Sequence, residues 1–311
     1  MRIVLIGQAP FGARTLEVLL DAGEDVAAVY TPLGKPGAKP DPLKEAAQAR
    51  GVRIFEPKTF KDEQVFSEFA GLRPDLVILA FVTAIVPARY FDAAGKGAIC
   101  YHPSILPRHR GASAVNWALI MGDELTGLTI FWPDQGIDTG PILLQKQVDI
   151  GPQDTAGSLY FNSLFPMGVD AIAESVRLIR EGNAPRIAQD DSKATYEPPC
   201  DDRVAGIDWA KSGNQIYNLV RGCDPQPGAY SEFRGERVRI YGANFVPGKI
   251  GGGIDAAPGV ITGLDLKGLR IAVEGGELLV TKVRVSSAGK IDAAIWAESA
   301  GIKPGDRFGK L

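Results

Sequence analysis

The stretch RIVLIGQAPFGARTLEVLL, residues 2–20, decides the fold. Arg2 to Ile6 is an apolar run rich in branched side chains, closed by Gly7, and Ala13 to Leu20 then repeats apolar residues at helical spacing. That order reads as strand, tight turn, helix. The same alternation continues outward. Asp25 to Tyr30 is a second buried strand, Pro42 to Arg50 a helix, Val52 to Phe55 a short strand and Asp75 to Phe81 a longer one. Further strands are expected at Gly97 to Tyr101, Gly127 to Trp132 and Ile142 to Ile150. Apolar strands alternating with helices imply a mostly parallel sheet with helices on both faces.

Thr155 to Glu181 carries helical periodicity, with Asp154 or Thr155 as N-cap, Pro166 as a bend or interruption and Gly182 as the stop. Residues 194–202 (ATYEPPCDD) hold two prolines and no periodicity, and read as a linker between a domain of residues 1–193 and a smaller one of residues 203–311. Beyond the linker come a short helix, Ser212 to Val220, and short glycine-punctuated segments at Ala229 to Phe233, Arg237 to Tyr241, Gly259 to Thr262, Leu269 to Val273 and Glu277 to Val285. Such strands fit a small barrel or sandwich, with Gly251 to Gly253 as a flexible loop.

At 311 residues and 45% hydrophobic content the chain can bury a real core, so disorder is excluded. A net charge of -3 gives no global pull toward nucleic acid or anionic lipid. No apolar run approaches the roughly 18 residues of a membrane span, and the start is too soon interrupted for a signal peptide, so the expected location is the cytoplasm. Cys100, Cys200 and Cys223 are too widely spaced for a disulfide framework or a zinc ribbon, and no metal is expected. Gly7 and Gly12 form GxxxxG, which is neither a dinucleotide fingerprint nor a P-loop, so no NAD is expected. The simpler reading gives Gly7 to the turn and Gly12 to close helix packing.

Histidine occurs only at positions 102 and 109. In CYHPSILPRHRGASAVNW, residues 100–117, His102 directly follows a buried strand, at the edge where side chains enter a crevice, and Pro103 and Pro107 stiffen the loop. A histidine there can act as general acid or base if a carboxylate orients it. DQGIDTGPILL, residues 134–144, sets Asp134 and Asp138 in a glycine-bounded turn, so that one or both can face the same crevice. Turn aspartates also cap backbone, and a loop histidine also makes ordinary hydrogen bonds.

These two segments resemble the signature of the 10-formyltetrahydrofolate-dependent formyltransferase family: a His-Pro-Ser-x-Leu-Pro loop, an Arg-Gly pair and an Asp-Thr-Gly loop in order. Likeness extends through LFPMG at residues 164–168 to Ile207–Trp209, Arg221, Pro227 and Gly228, and the Tyr101-His102-Pro103 and Arg108–Gly111 segments look most like the hydrolase domain of 10-formyltetrahydrofolate dehydrogenase. The resemblance implies a Rossmann-like formyltransferase fold with an OB-like C-terminal β-barrel. It makes His102 the catalytic histidine and Asp138 the catalytic aspartate. The family asparagine, which supports an oxyanion, is Cys100 here. A thiol is a weak donor, but hydrolase-like members also lack that asparagine; a nucleophilic role for Cys100 competes with a small buried side chain at a strand end.

By the same resemblance, 10-formyltetrahydrofolate enters between the sheet edge and the loops of residues 81–87 and 104–107. Phe81, Val82, Thr83, Ala84 and Ile85 lie along the pterin, with Ser104, Leu106, Pro107 and Asp134 nearby, and Arg110 pairs an anion or braces its loop. The first expectation is hydrolysis to tetrahydrofolate and formate. The rivals are a methionyl-tRNA formyltransferase, a small-amine (sugar-nucleotide) formyltransferase and a folate binder without turnover. An initiator tRNA partner is disfavoured because Thr31 to Pro42 is short, with Lys35 and Lys39 but no arginine, and the C-terminal region has no basic footprint. The sequence does not specify the oligomeric state.

Overall fold

The computed structural model describes residues 1–248, 256–285 and 289–309. In chain order the regular elements are β1 (Arg2–Gly7), α1 (Ala9–Asp21), β2 (Asp25–Tyr30), α2 (Pro42–Ala49), β3 (Ile54–Phe55), α3 (Glu63–Gly71), β4 (Leu76–Ala80), α4 (Arg89–Asp92) and β5 (Ala98–His102). They continue as α5 (Ala114–Met121), β6 (Leu125–Phe131), β7 (Ile142–Asp149), α6 (Ala156–Leu159) and α7 (Phe165–Glu181). The last group is α8 (Gly213–Gly222), β8 (Ala229–Phe233), β9 (Glu236–Pro247), β10 (Ile261–Asp265), β11 (Gly268–Val273), β12 (Gly276–Val285), β13 (Ile291–Asp292) and α9 (Ala293–Ser299). The chain forms two compact units, each discontinuous: Met1–Gly111 with Gly127–Val148 and Phe161–Tyr196, and Ala112–Thr126 with Asp149–Tyr160 and Glu197–Leu311.

The first unit is built on a seven-stranded sheet in the order β3-β2-β1-β4-β5-β6-β7. Pairing is parallel from β3 to β5, and β6 runs antiparallel to β5. The apolar run of β1 shows why both faces must be covered. Ile3 and Leu5 enter one core with Leu16, Leu19, Val169 and Ile172 of α1 and α7, while Val4 and Ile6 enter another with Phe69, Tyr90 and Phe91 of α3 and α4. A strand buried on both sides has no polar face, as its sequence requires. The chain leaves β1 for β2 on one side and reaches β4 on the other. The carboxyl ends of β1 and β4 therefore form the switch point where open α/β sheets leave a crevice.

The expected helix over residues 155–181 is broken. Thr155 and Ser158 form a capping box at the start of α6, residues 160–164 make a π-helical turn, and α7 begins with Pro166 in its first turn, where a missing N–H costs little. Gly182 ends α7 at φ +76°. Helices α3, α5 and α9 were not expected from the pattern. AVNWALIM in α5 buries Ala114, Val115, Ala118 and Leu119 but is apolar nearly all round, which blurs the 3.6-residue period. Strand β5 extends to His102, one residue beyond the expected end.

The second unit holds an antiparallel sheet in the order β10-β11-β12-β9-β8, with β13 on β12. Its core includes Ile240, Ile271, Leu278, Val280, Trp296 and Phe308. The expected small barrel is not closed by its strands: among the described residues no pairing joins β8 to β10 directly, though residues 307–309 bridge to both edges, Gly309 to Glu232 and Arg307 to Val260. The Gly251–Gly253 loop lies outside the described residues.

The glycine turn after β1 is structural. A Cβ on Gly7 would stand 2.5 Å from the Ala80 carbonyl oxygen, and one on Gly12 would stand 3.2 Å from Leu43 Cδ2. Both carboxylate oxygens of Asp41 accept from the Ala9 N–H, at 2.9–3.0 Å, and Oδ1 also caps α2 through the Leu43 N–H. The start of α1 thus already holds an internal negative charge where a phosphate would otherwise be favoured. Asp41→Ala removes both caps and should destabilise the fold by about 1–3 kcal/mol, read as a lower urea midpoint by circular dichroism. Asp41→Asn should retain at least half of that stability difference.

Candidate active site

His102 ends β5 and is 6% exposed. Its Nε2 lies 2.8 Å from the His109 carbonyl oxygen. A carbonyl only accepts, so Nε2 carries the proton, and in the neutral ring Nδ1 presents its lone pair. That lone pair faces Asp138, whose Oδ2 is 3.5 Å away. The separation is longer than a formed hydrogen bond, with the carboxylate facing the ring nitrogen.

Asp138 is held in a conformation that side chains seldom adopt, at φ +56°. The surroundings impose it. The Gly111 N–H donates to Asp138 Oδ2 at 2.7 Å, and Gln189 Nε2 donates to the carbonyls of Asp138 and Gly140 at 2.8 and 2.7 Å. At Gly140 a Cβ would stand 1.8 Å from the Trp132 carbonyl oxygen, so no other residue fits this closure of the loop. Asp134, in the same turn, spends Oδ1 on the Gly136 N–H and the Thr139 hydroxyl and is exposed. The structure brings Asp138 to His102 and leaves Asp134 as a turn cap.

Arg110 is 3% exposed, and its guanidinium donates to Gln189 Oε1 through Nε and Nη2, to Asp191 through Nη2 and to the Tyr196 hydroxyl through Nη1. The guanidinium both pairs with a carboxylate, that of Asp191, and braces its loop through Gln189 and Tyr196, and it does not lie at the surface. Gln189 therefore links a buried cation to the loop that carries Asp138. Gln189 was missed in the sequence, where it sits in a polar stretch with no periodicity; its partners lie 49 to 79 residues away.

The loop after His102 is anchored inward. Ser104 is fully buried, with its hydroxyl on the Arg108 carbonyl, and the Leu106 N–H donates to Thr129 Oγ1. Gln145 Nε2 reaches both the Leu106 carbonyl and Thr129 Oγ1, and the Leu106–Pro107 peptide bond is cis. Ser104 and Leu106 support the loop with side chains turned away from solvent. Cys100 is partly buried beside this edge, and burial together with the Asp138 charge pushes its thiol well above the ordinary range. A thiol held protonated is a poor nucleophile.

At the switch point a hollow of about 520 Å³ is lined by Gly7 and Gln8 of the β1 end, Thr31, Thr59 and Val82–Ile85. Thr83 Oγ1 donates to Gln8 Oε1 at 3.3 Å, Ile85 is exposed, and Phe81 sits at φ +60° where β4 ends. Its lining includes the four predicted ring-edge residues but neither His102 nor Asp138, which belong to the neighbouring strand and the β6–β7 loop. Among the described residues no group of three or more His, Cys, Asp or Glu side chains is placed to hold a metal, and no helix is long and apolar enough to cross a membrane.

A formyl transferase family model matches residues 1–167, and the formyl transferase C-terminal domain model matches residues 201–301. The chain is 39% identical over 314 aligned residues to mitochondrial 10-formyltetrahydrofolate dehydrogenase of Mus musculus, covering 97% of this chain and 33% of that protein. It thus spans about a third of the length of that relative. Methionyl-tRNA formyltransferase of Symbiobacterium thermophilum is 33% identical, over 99% of this chain and 95% of the relative. Among solved structures, WlaRD, a sugar 3N-formyl transferase crystallised in the presence of dTDP and 5-N-formyl-THF, superposes with a TM-score of 0.70 at 17% identity, covering 93% of this chain and 99% of that one.

Gln189→Leu takes two of the Arg110 guanidinium's hydrogen bonds and frees two loop carbonyls. It should cost about 2–4 kcal/mol, measured as a fall in the urea midpoint. Gln189→Glu keeps an acceptor for Arg110 but loses both donors to the loop, and should fall between wild type and Gln189→Leu.

Proposed function

The chain belongs to the formyl transferase family of enzymes, and from that membership we propose that it hydrolyses 10-formyltetrahydrofolate to tetrahydrofolate and formate. The observation that carries the reading is the His102–Asp138 pair, in which an imidazole with its proton fixed on Nε2 turns a bare nitrogen toward a carboxylate. Such a pair activates water and needs no side-chain nucleophile. The neutral Cys100 thiol at the family asparagine position, a weak oxyanion donor, is consistent with a water acceptor, as is the likeness to the dehydrogenase.

In this reading the folate ring system takes the hollow beside Val82–Ile85, with the ring edge on that loop's backbone, and the formyl group reaches the end of β5, one strand away. Adjacent strands lie about 4.8 Å apart, within the span of one substrate. The oxygen of water attacks the formyl carbon while its proton passes to the His102–Asp138 pair. The carbon–N10 bond then breaks, N10 takes the proton from the pair, and the formic acid so formed gives its remaining proton to solvent and leaves as formate. Asp138, fixed by the Gly111 N–H and Gln189, orients the imidazole and stabilises it while it holds both protons.

One observation favours a second reading. The chain is 33% identical to a methionyl-tRNA formyltransferase over 99% of its own length. Transfer to an aminoacylated RNA would use the same pair, with an amine in place of water.

Incubation with 10-formyltetrahydrofolate alone should release formate at multiple turnovers, and adding methionyl-tRNA should not redirect the formyl group. His102→Ala and Asp138→Asn should each lower turnover by about 10²–10⁴ while tetrahydrofolate affinity stays within a few fold. A strict requirement for RNA would establish the second reading instead. Equal losses of binding and turnover would remove the assigned roles.

A further inference from the structure

Away from His102 and Asp138, the second compact unit carries another reactive pair. The sulfurs of Cys200 and Cys223 lie 3.7 Å apart. Cys223 stands at the C-terminal end of α8, with its N–H on the Leu219 carbonyl, and is fully buried in the core that holds Ile216 and Val220. Cys200 follows Pro198 and Pro199 in an irregular segment, where its N–H donates to Ser113 Oγ. It is half-buried, and it lines an open hollow of about 570 Å³ together with Ser113, Asn116, Arg203 and Gln226. Cys200 thus borders an open hollow, whereas Cys223 is sealed in the core.

The two thiols are chemically unequal. The Cys223 S–H, donated to the Cys200 sulfur, holds Cys200 below the ordinary thiol range; donating that bond, together with burial, pushes Cys223 up. Thiol–disulfide exchange needs this asymmetry, an exposed attacking thiolate backed by a sheltered resolving thiol. The third cysteine does not compete, because Cys100 is held protonated by burial and by Asp138.

We propose that Cys200 and Cys223 form a reversible dithiol–disulfide site whose co-substrate is a small disulfide of the glutathione type. The Cys200 thiolate attacks one sulfur of the small disulfide, whose S–S bond breaks, and one small thiol leaves with the electron pair and takes up a proton. Cys223 then loses its proton and attacks the Cys200 sulfur. The mixed disulfide breaks, and the second small thiol departs. The protein gives up two electrons and two protons, and the small disulfide is reduced to two thiols. The sulfurs must close from 3.7 Å to about 2.0 Å, a movement that rotation of the Cys200 side chain in its irregular segment supplies. The bond ties the segment around residue 200 to the end of α8 within one unit and does not depend on the folate reading.

The test is intact-mass spectrometry of the full chain after treatment with excess oxidised glutathione, followed by peptide mapping under denaturing alkylation. Wild type should lose the mass of two hydrogens, and the map should join the peptides of Cys200 and Cys223 while Cys100 alkylates. Cys223→Ser should retain one glutathione on Cys200, and Cys200→Ser should take up neither glutathione nor a bond. The mapping on wild type decides the matter even if a variant fails to fold. Three alkylatable cysteines after treatment, a stable glutathione adduct on wild-type Cys200, or a bond to Cys100 would each overturn the proposal.

Discussion

The hydrogen bond from His102 Nε2 to the His109 carbonyl fixes which ring nitrogen faces Asp138, and the chemistry of the site follows from it. Were Nε2 free, the neutral ring could take the other tautomer and donate its Nδ1–H to the carboxylate. With Nε2 engaged, the neutral imidazole turns an acceptor toward an acceptor. The donor is a side chain at the end of β5, and the carbonyl belongs to a loop anchored by Thr129, Gln145 and Thr195. The tautomer is therefore a property of the scaffold.

The same logic extends to the carboxylate. Asp138 adopts a left-handed backbone because Gly111 and Gln189 hold its two ends, and Gln189 is itself held by a buried arginine. A guanidinium so enclosed costs several kcal/mol to desolvate unless its donors are met. Gln189, Asp191 and Tyr196 meet them, and the result is a stiff bridge from the sheet edge to the Asp138 turn. Loops that carry function on a rigid scaffold commonly depend on such polar networks.

How much of this was legible in the sequence varies with the range of the interaction. Strand β1 was legible because burial on both faces leaves an uninterrupted apolar run, and the break near Pro166 because proline acts locally. Helix α5 was not, since a segment apolar nearly all round has no period to detect. Asp134 and Asp138 look alike in a glycine-rich turn; the family resemblance singles out Asp138, and the coordinates show the geometry, Asp134 capping its own loop and Asp138 meeting His102. Asp41 and Gln189 act across 32 and 51 residues, respectively, through bonds to backbone, which leave no trace in composition or spacing. The open second sheet also depends on which strand edges meet, a question that short alternating segments do not answer.

The central claim is that water is the nucleophile this pair activates against a folate-borne formyl group. A single turnover of excess protein with 10-formyltetrahydrofolate in ¹⁸O-labelled water tests it most directly. The account predicts formate carrying one solvent oxygen, formed at the rate at which tetrahydrofolate appears. Tight folate binding with the formyl group left in place, or formate free of solvent oxygen, would contradict it.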